Sequence, residues 1–228
     1  MNKLFKTIIS IVGISMAFAG CTGDFDNMNT DPNNPTPGSV DPKFQLIFIQ
    51  GRGIPYANQW QQIDQLMIST LCEYSANDGL SASDYNIDSR YIDDLWNLSY
   101  TVLTNANSLI SANEDKPIYN NVVQMARIWK AYVMLRLTNC IGDVPYSEAD
   151  DIDQPKYDTQ KDIYYTIFDE LKDAVSKLDE SAANNVGSYD LIYGGDAAKW
   201  KKFANSIRLR MAVRISDVDA AKAKTEGE

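Results

Sequence analysis

The chain has 228 residues, of which 21 are basic and 31 acidic, giving a formal net charge of −10, and it contains no histidine. A surface this acidic repels phosphate backbones and anionic headgroups, so nucleic acid is excluded as the expected partner. The lack of histidine removes Ser-His-Asp and Cys-His catalysis, and with only three cysteines it also speaks against the usual zinc sites.

The first element in chain order is a processing signal over residues 1–20. Lys3 and Lys6 give a positive start, Thr7 to Ala19 form an apolar core, and Phe18-Ala19-Gly20 leads into Cys21. The apolar run of about thirteen residues falls short of the roughly twenty that a membrane-crossing helix needs, which favours a cleaved leader over a retained span. The pattern resembles the bacterial lipobox, with Phe18 where Leu is usual. In that pattern the cysteine thiol is diacylated and becomes the new N-terminus, so Cys21 is the expected lipidation site. An ordinary secretory signal with an incidental cysteine is the alternative. Lipidation matters physically because two or more acyl chains give a durable anchor, whereas one holds only marginally.

Residues 21–42 follow as a tether. The segment includes Asp31-Pro32-Asn33-Asn34-Pro35-Thr36-Pro37-Gly38. It has too little apolar surface to bury, and its prolines disfavour helix. The folded part is expected over residues 43–228. Its signals are helical throughout, at Phe44 to Gln50, Gln59 to Tyr74, Tyr91 to Ala112, Ile118 to Cys140, Gln160 to Leu178 and Ala197 to Ser216, with no sustained strand alternation between them.

The helix from Ile118 is apolar at Val122, Ala126, Trp129, Val133 and Leu137, and Met125, Ile128, Tyr132 and Leu135 widen that stripe. An arc so broad predicts a helix packed between partners. Gly142 and Pro145 then stop it. Asp158 or Thr159 can cap the next helix, and Thr159 with Asp162 makes a short variant of the capping box. Ile163, Ile167, Leu171, Ala174 and Leu178 form its buried stripe, with Tyr164, Phe168 and Val175 beside them. The last three helices start roughly forty residues apart, the range of helical-repeat units. Cys72 and Cys140 sit in apolar helical contexts, where small buried thiols are expected in preference to a disulfide.

Two blocks carry a family resemblance. The first is Gly142-Asp143-Val144-Pro145-Tyr146-Ser147-Glu148-Ala149, followed by Pro155-Lys156-Tyr157-Asp158-Thr159-Gln160 and Ile163-Tyr164. The second is Asp190-Leu191-Ile192-Tyr193-Gly194-Gly195-Asp196, continued by Trp200-Lys201-Lys202-Phe203-Ala204-Asn205-Ser206-Ile207-Arg208-Leu209-Arg210-Met211-Ala212-Val213-Arg214. With the early Asp31-Pro32-Asn33, they resemble the SusD/RagB family of Bacteroidetes outer-membrane lipoproteins, in its SusD-like branch. The resemblance implies an all-α fold of tetratricopeptide-like helix pairs with long irregular loops. It implies surface capture of glycan or peptide nutrients, delivered to a SusC-type TonB-dependent transporter, with no chemistry on the ligand and no cofactor. Members are about twice as long as this chain, so an N-terminal portion is expected, with part of the ligand site in the remainder.

Sugar capture requires aromatic faces for pyranose rings and nearby polar groups for hydroxyls. The polar stretch from Tyr74 to Tyr91, with the helix start before it, offers that mixture, and Trp60, Asn77, Asp78, Tyr85 and Arg90 are the candidate ligand-binding residues. Trp96, flanked by Leu95 and Leu98, reads as core. Arg208, Arg210 and Arg214 read as structural ion pairs, with an anionic ligand as the alternative. Asp150, Asp151 and Asp153 lack the Gly and final Glu of an EF-hand loop and read as a solvated acidic loop, with no metal expected. Asp93 with Asp94, or Asp78 with Asp84, do not make a glycosidase pair on spacing alone, since helix neighbours point apart. The competing class is a helical-repeat lipoprotein scaffold that binds only protein partners.

Overall fold

A computed structural model describes residues 40–54, 89–150 and 154–228, all within one compact unit spanning Val40–Glu228. Six α-helices form among the described residues: α1 (Pro42–Gly53), α2 (Ser89–Asn113), α3 (Asn120–Ile141), α4 (Gln160–Lys177), α5 (Ala197–Arg214) and α6 (Ala220–Gly227). Short 3-10 turns lie at Pro117–Tyr119 and Gly187–Tyr189. Among the described residues there is no strand, only one isolated antiparallel bridge between Val144 and Asp158. The expected helix Gln59 to Tyr74 and the polar stretch after it lie outside the described residues up to Ser89. The expected helix beginning near Ile118 starts instead at Asn120, because Pro117 sets up a 3-10 turn first.

The centre is α3, which packs against α1, α2, α4 and α5. Its wide apolar arc explains that position: Val122, Met125, Ala126, Ile128, Met134 and Leu137 are fully buried around its circumference. The helix stops at Gly142, whose φ of 93° suits glycine and whose amide donates to Thr138 O at 2.8 Å. Packing of α4 follows its stripe, with Ile163, Ile167, Phe168, Leu171 and Ala174 all at 0% exposure. Burial of each such large side chain is worth about 1.5–3 kcal/mol.

Polar ends tie the helices together. Thr159 is the N-cap of α4: its Oγ1 accepts from the Asp162 amide at 3.2 Å and donates to the Asp162 carboxylate at 2.7 Å. At the opposite end of that helix, Asn120 and Asn121 donate to the carbonyls of Lys177 and Asp179 at 2.7 and 2.8 Å. The start of α3 therefore satisfies carbonyls left open where α4 ends. On the other flank, Trp129 Nε1 donates to Ile49 O at 2.9 Å and fixes α1 onto α3. After α5, Asp219 caps the short α6 by accepting from the Lys222 amide.

Cys140 corrects one expectation. It is exposed in the last turn of α3, because the apolar stripe that buries Leu137 has rotated away from the core by that point. Cys72 lies outside the described residues.

Candidate functional site

The segment between α3 and α4 is irregular, yet tightly bonded. The Asp158 amide donates to Val144 O at 3.1 Å, and the Asp158 carboxylate accepts from the amides of Tyr146 and Ser147 at 2.9 and 2.7 Å. Ser147 Oγ donates to the same carboxylate at 2.8 Å, and the Gln160 amide donates to Asp143 Oδ1 at 2.8 Å. Burial pushes the Asp158 carboxyl upward, but these donors outweigh it and leave the group below its ordinary range. A loop lacking a ladder must satisfy its amides somewhere, and this carboxylate does so.

Behind the loop, Tyr146 is buried and its hydroxyl donates to Glu170 at 2.6 Å. Burial, then the Glu170 charge, raises that phenol well above its ordinary value, so it stays a donor. Glu170 also meets Lys130 at 2.8 Å and Arg127 at 3.7 Å.

This bracing places Tyr157 beside α2. Trp96 and Tyr100, one turn apart on α2, have ring centroids 4.7 Å apart and planes inclined by 41°. Tyr157 stands 6.3 Å from Trp96 at 35°, with 60% of its surface exposed. Tyr100 is held by a hydrogen bond from its hydroxyl to Pro145 O at 2.7 Å, and burial above all raises its phenol beyond the ordinary range. The three rings make a shallow aromatic face with exposed Asp93 one turn before Trp96. Flat faces with adjacent carboxylate oxygens suit the apolar side and the hydroxyls of a pyranose.

Trp96 is thus half-buried and stacked rather than sealed in the core, because Leu95 and Ser99 take the inward positions of that turn. Of the sequence-predicted ligand residues, Trp60, Asn77, Asp78 and Tyr85 lie outside the described residues, as does Cys21. Arg90 is in the first turn of α2, six positions before Trp96.

The second motif is also a hub. Asp190, 3% exposed, accepts from Gln50 Nε2 at 2.8 Å, Trp200 Nε1 at 2.7 Å and the amides of Ile192, Tyr193 and Gly195 at 3.0, 3.3 and 2.8 Å. Gln50 returns a contact through its Oε1, which accepts from the Leu191 amide at 2.7 Å. One carboxylate thereby joins α1, the loop and α5.

The three arginines of α5 divide. Arg208 forms the expected structural pair, at 2.7 Å to the buried Glu226 of α6. Arg210 and Arg214 make no ion pair or side-chain hydrogen bond among the described residues, and so depart from that expectation. Both line an open groove of about 330 Å³ between α3, α4 and α5, together with Arg136, Tyr132, Tyr164 and Phe203. Helical spacing carries the signal for this division: positions 210 and 214 share a face and position 208 does not. Asp150 is exposed and accepts from Asn107 at 2.8 Å, as a solvated loop residue does, while Asp151 and Asp153 lie outside the described residues. Among the described residues, no three His, Cys, Asp or Glu side chains gather as metal ligands, and no helix is long and apolar enough to cross a membrane.

The class defined by these features is an all-α assembly of packed helix pairs whose braced loops present an aromatic face. The chain belongs to the SusD-like family: the family model for starch-binding proteins associating with the outer membrane matches residues 46–228. Solved structures agree. A chitin-binding protein is 33% identical with a TM-score of 0.71, over 82% of this chain and 42% of that one. A SusD homolog from Parabacteroides distasonis is 30% identical with a TM-score of 0.70, over 85% of this chain and 38% of its own. A chitin-binding SusD homolog from Flavobacterium johnsoniae is 28% identical with a TM-score of 0.67, over 82% and 41%. The chain therefore spans about two-fifths of the length of these relatives. No curated protein sequence matches it. The fold of this family is the all-α, tetratricopeptide-like one that the helix pairs display.

Proposed function

We propose that this chain belongs to a lipid-anchored protein of the outer membrane that captures glycan at the cell surface and passes it to a SusC-type TonB-dependent transporter, without chemistry on the ligand. The observation that carries this reading is the Trp96, Tyr100 and Tyr157 face, held open by the Asp158 turn and flanked by Asp93 and the start of α2. Family membership and two chitin-binding relatives support a sugar as the ligand. Trp60, Asn77, Asp78, Tyr85 and Arg90 are proposed as further ligand contacts on the strength of their residue types, and Cys21 as the lipid anchor.

The test is calorimetric titration of the full chain with neutral oligosaccharides, chitooligosaccharides among them, against variants Trp96→Ala and Tyr157→Ala. Each variant should weaken binding about 2- to 12-fold, since one stacked ring contributes about 0.5–1.5 kcal/mol. Unchanged affinity in both variants defeats the aromatic-face reading. Native copurification from outer membranes tests the transporter, and labelling with a fatty-acid analogue that is abolished by Cys21→Ala tests the anchor.

A further inference from the structure

The groove between α3, α4 and α5 has a composition at odds with the rest of the chain. Three guanidinium groups, of Arg136, Arg210 and Arg214, line it, and among the described residues no Asp or Glu does. The whole chain carries 31 acidic against 21 basic residues, so a groove whose described lining carries arginines and no carboxylate is not what its average surface supplies. Arg210 and Arg214 are also one turn apart on α5, where like charges repel each other, and neither is neutralised by a carboxylate among the described residues. The same helix shows the contrast, since Arg208 has its buried counter-ion in Glu226.

The remaining lining is not that of a plain phosphate site. Tyr132 and Phe203 are half-buried with ring centroids 5.5 Å apart, and Ser206 is exposed on the groove side. Rings, a hydroxyl and forked donors match a sugar bearing an acid group: the C–H face packs on the rings and the guanidinium fork takes the carboxylate in two parallel hydrogen bonds. With a volume of about 330 Å³, the groove takes one to two pyranose units. A second hollow of about 380 Å³ shares Tyr164 and Arg214 and continues the groove along α4, where Asp219 enters the lining and ends the purely cationic stretch.

We infer that this groove is a second saccharide site, selective for acidic sugars such as uronates, with Arg210 and Arg214 as its specificity-determining residues. The identity of the ligand as a sugar rests on the glycan-capture reading above, whereas the preference for an acid group rests on the groove itself.

The experiment titrates the full chain with oligogalacturonate, with a neutral oligomer of equal length and with polyglutamate, at about 50 and 300 mM salt, where screening changes strongly. A double variant, Arg210→Gln with Arg214→Gln, is run alongside. Both side chains are exposed, so helix content and the unfolding midpoint should remain at the parent values. The expected result is binding of oligogalacturonate that weakens with salt, falls at least about tenfold in the double variant, and exceeds that of polyglutamate. Neutral-oligomer binding should stay unchanged in that variant. Equal affinity for neutral and acidic oligomers, or no loss in the double variant, overturns the inference, as does equal binding of polyglutamate, which would mark a surface for acidic polypeptide. If neutral oligomers bind through Trp96 while uronates do not bind, only this inference falls. Uronate binding without any neutral binding sinks the aromatic-face reading instead.

Discussion

Asp190→Ala should be among the most damaging single substitutions in the described part of the chain. The carboxylate is 3% exposed and accepts five hydrogen bonds, from Gln50, Trp200 and three loop amides. Two of those donors belong to side chains at 0% exposure, Gln50 and Trp200, and water cannot replace the lost acceptor for them without opening the core. Leaving a buried donor unsatisfied costs about 1–3 kcal/mol, so these two and the Gly195 amide together put the loss at about 3–6 kcal/mol after some relaxation. That is a large share of the roughly 5–15 kcal/mol that holds an ordinary domain folded. In urea, with a slope near 2 kcal/mol per molar, the midpoint should fall by about 1.5–3 M. Asp190→Asn keeps the shape, but one of its two terminal atoms becomes a donor facing donors, and it should lose about half as much. The assay is urea unfolding followed by tryptophan fluorescence and by far-UV circular dichroism. A fall below about 0.5 M for the alanine variant refutes the claim that this carboxylate joins α1, the loop and α5.

Gly195→Ala should cost about 2–4 kcal/mol in the same assay, because φ is +79° there and an added Cβ would lie 2.1 Å from Asn184 Oδ1; a neutral result refutes that strain. Acid should destabilise the chain through groups whose carboxyls lie below their ordinary range. In Asp173, hydrogen bonds from Lys177 and then Arg127 lower the value, while in Asp158 burial raises it but the Ser147 and Tyr146 donors prevail. The unfolded chain then binds more protons than the folded one below about pH 4, so this stability is fully present above the ordinary carboxylate range and is lost as pH falls through the lowered folded values. Unfolding midpoints at pH 7 and 3.5 should differ less in Asp158→Asn than in the parent, and an equal difference counts against the turn's role. Cys140, exposed in the last turn of α3, should be modified by a maleimide in the folded chain without loss of helix content, and protection from the reagent contradicts its placement.

Much of the fold can be read from the residues because helices announce themselves by period and cap. Thr159, Asp162 and the stripe from Ile163 to Leu178 locate α4 to within a residue, and the broad arc of α3 shows that it is central before any neighbour is known. Site residues are less legible. A tryptophan between Leu95 and Leu98 looks like core, and periodicity tells which face it shares but not whether another element covers that face. Trp96 is left half-open because the partner across from it is a loop, placed by hydrogen bonds that have no period. The arginines were readable in part: a helix turns about 100° per residue, which puts Arg210 with Arg214 and sends Arg208 to another side. The counter-ion of Arg208 comes from α6, and nothing in the local spacing names Glu226.

Within the two motifs that mark the family, the two loop carboxylates bind the protein's own backbone rather than a ligand. Asp158 and Asp190 point inward, each spending its carboxylate on loop amides that have no helix or ladder to satisfy them. Residues next to them in sequence point outward: Tyr157 precedes Asp158 and is 60% exposed, and Leu191 follows Asp190 and is 52% exposed; farther along the second motif, Arg210 is exposed two positions after the paired Arg208. The consequence is a separation of tasks at single-residue resolution. At Asp190 almost no change is tolerated, since any substitute leaves several buried donors unmet, whereas an outward neighbour can change without disturbing the turn. Replacing Tyr157 or Arg210 should therefore alter what is bound while leaving the unfolding free energy within about 0.5 kcal/mol of the parent, and replacing Asp190 should do the reverse through loss of the fold. A scaffold built this way can keep its helix pairs and exchange its ligand.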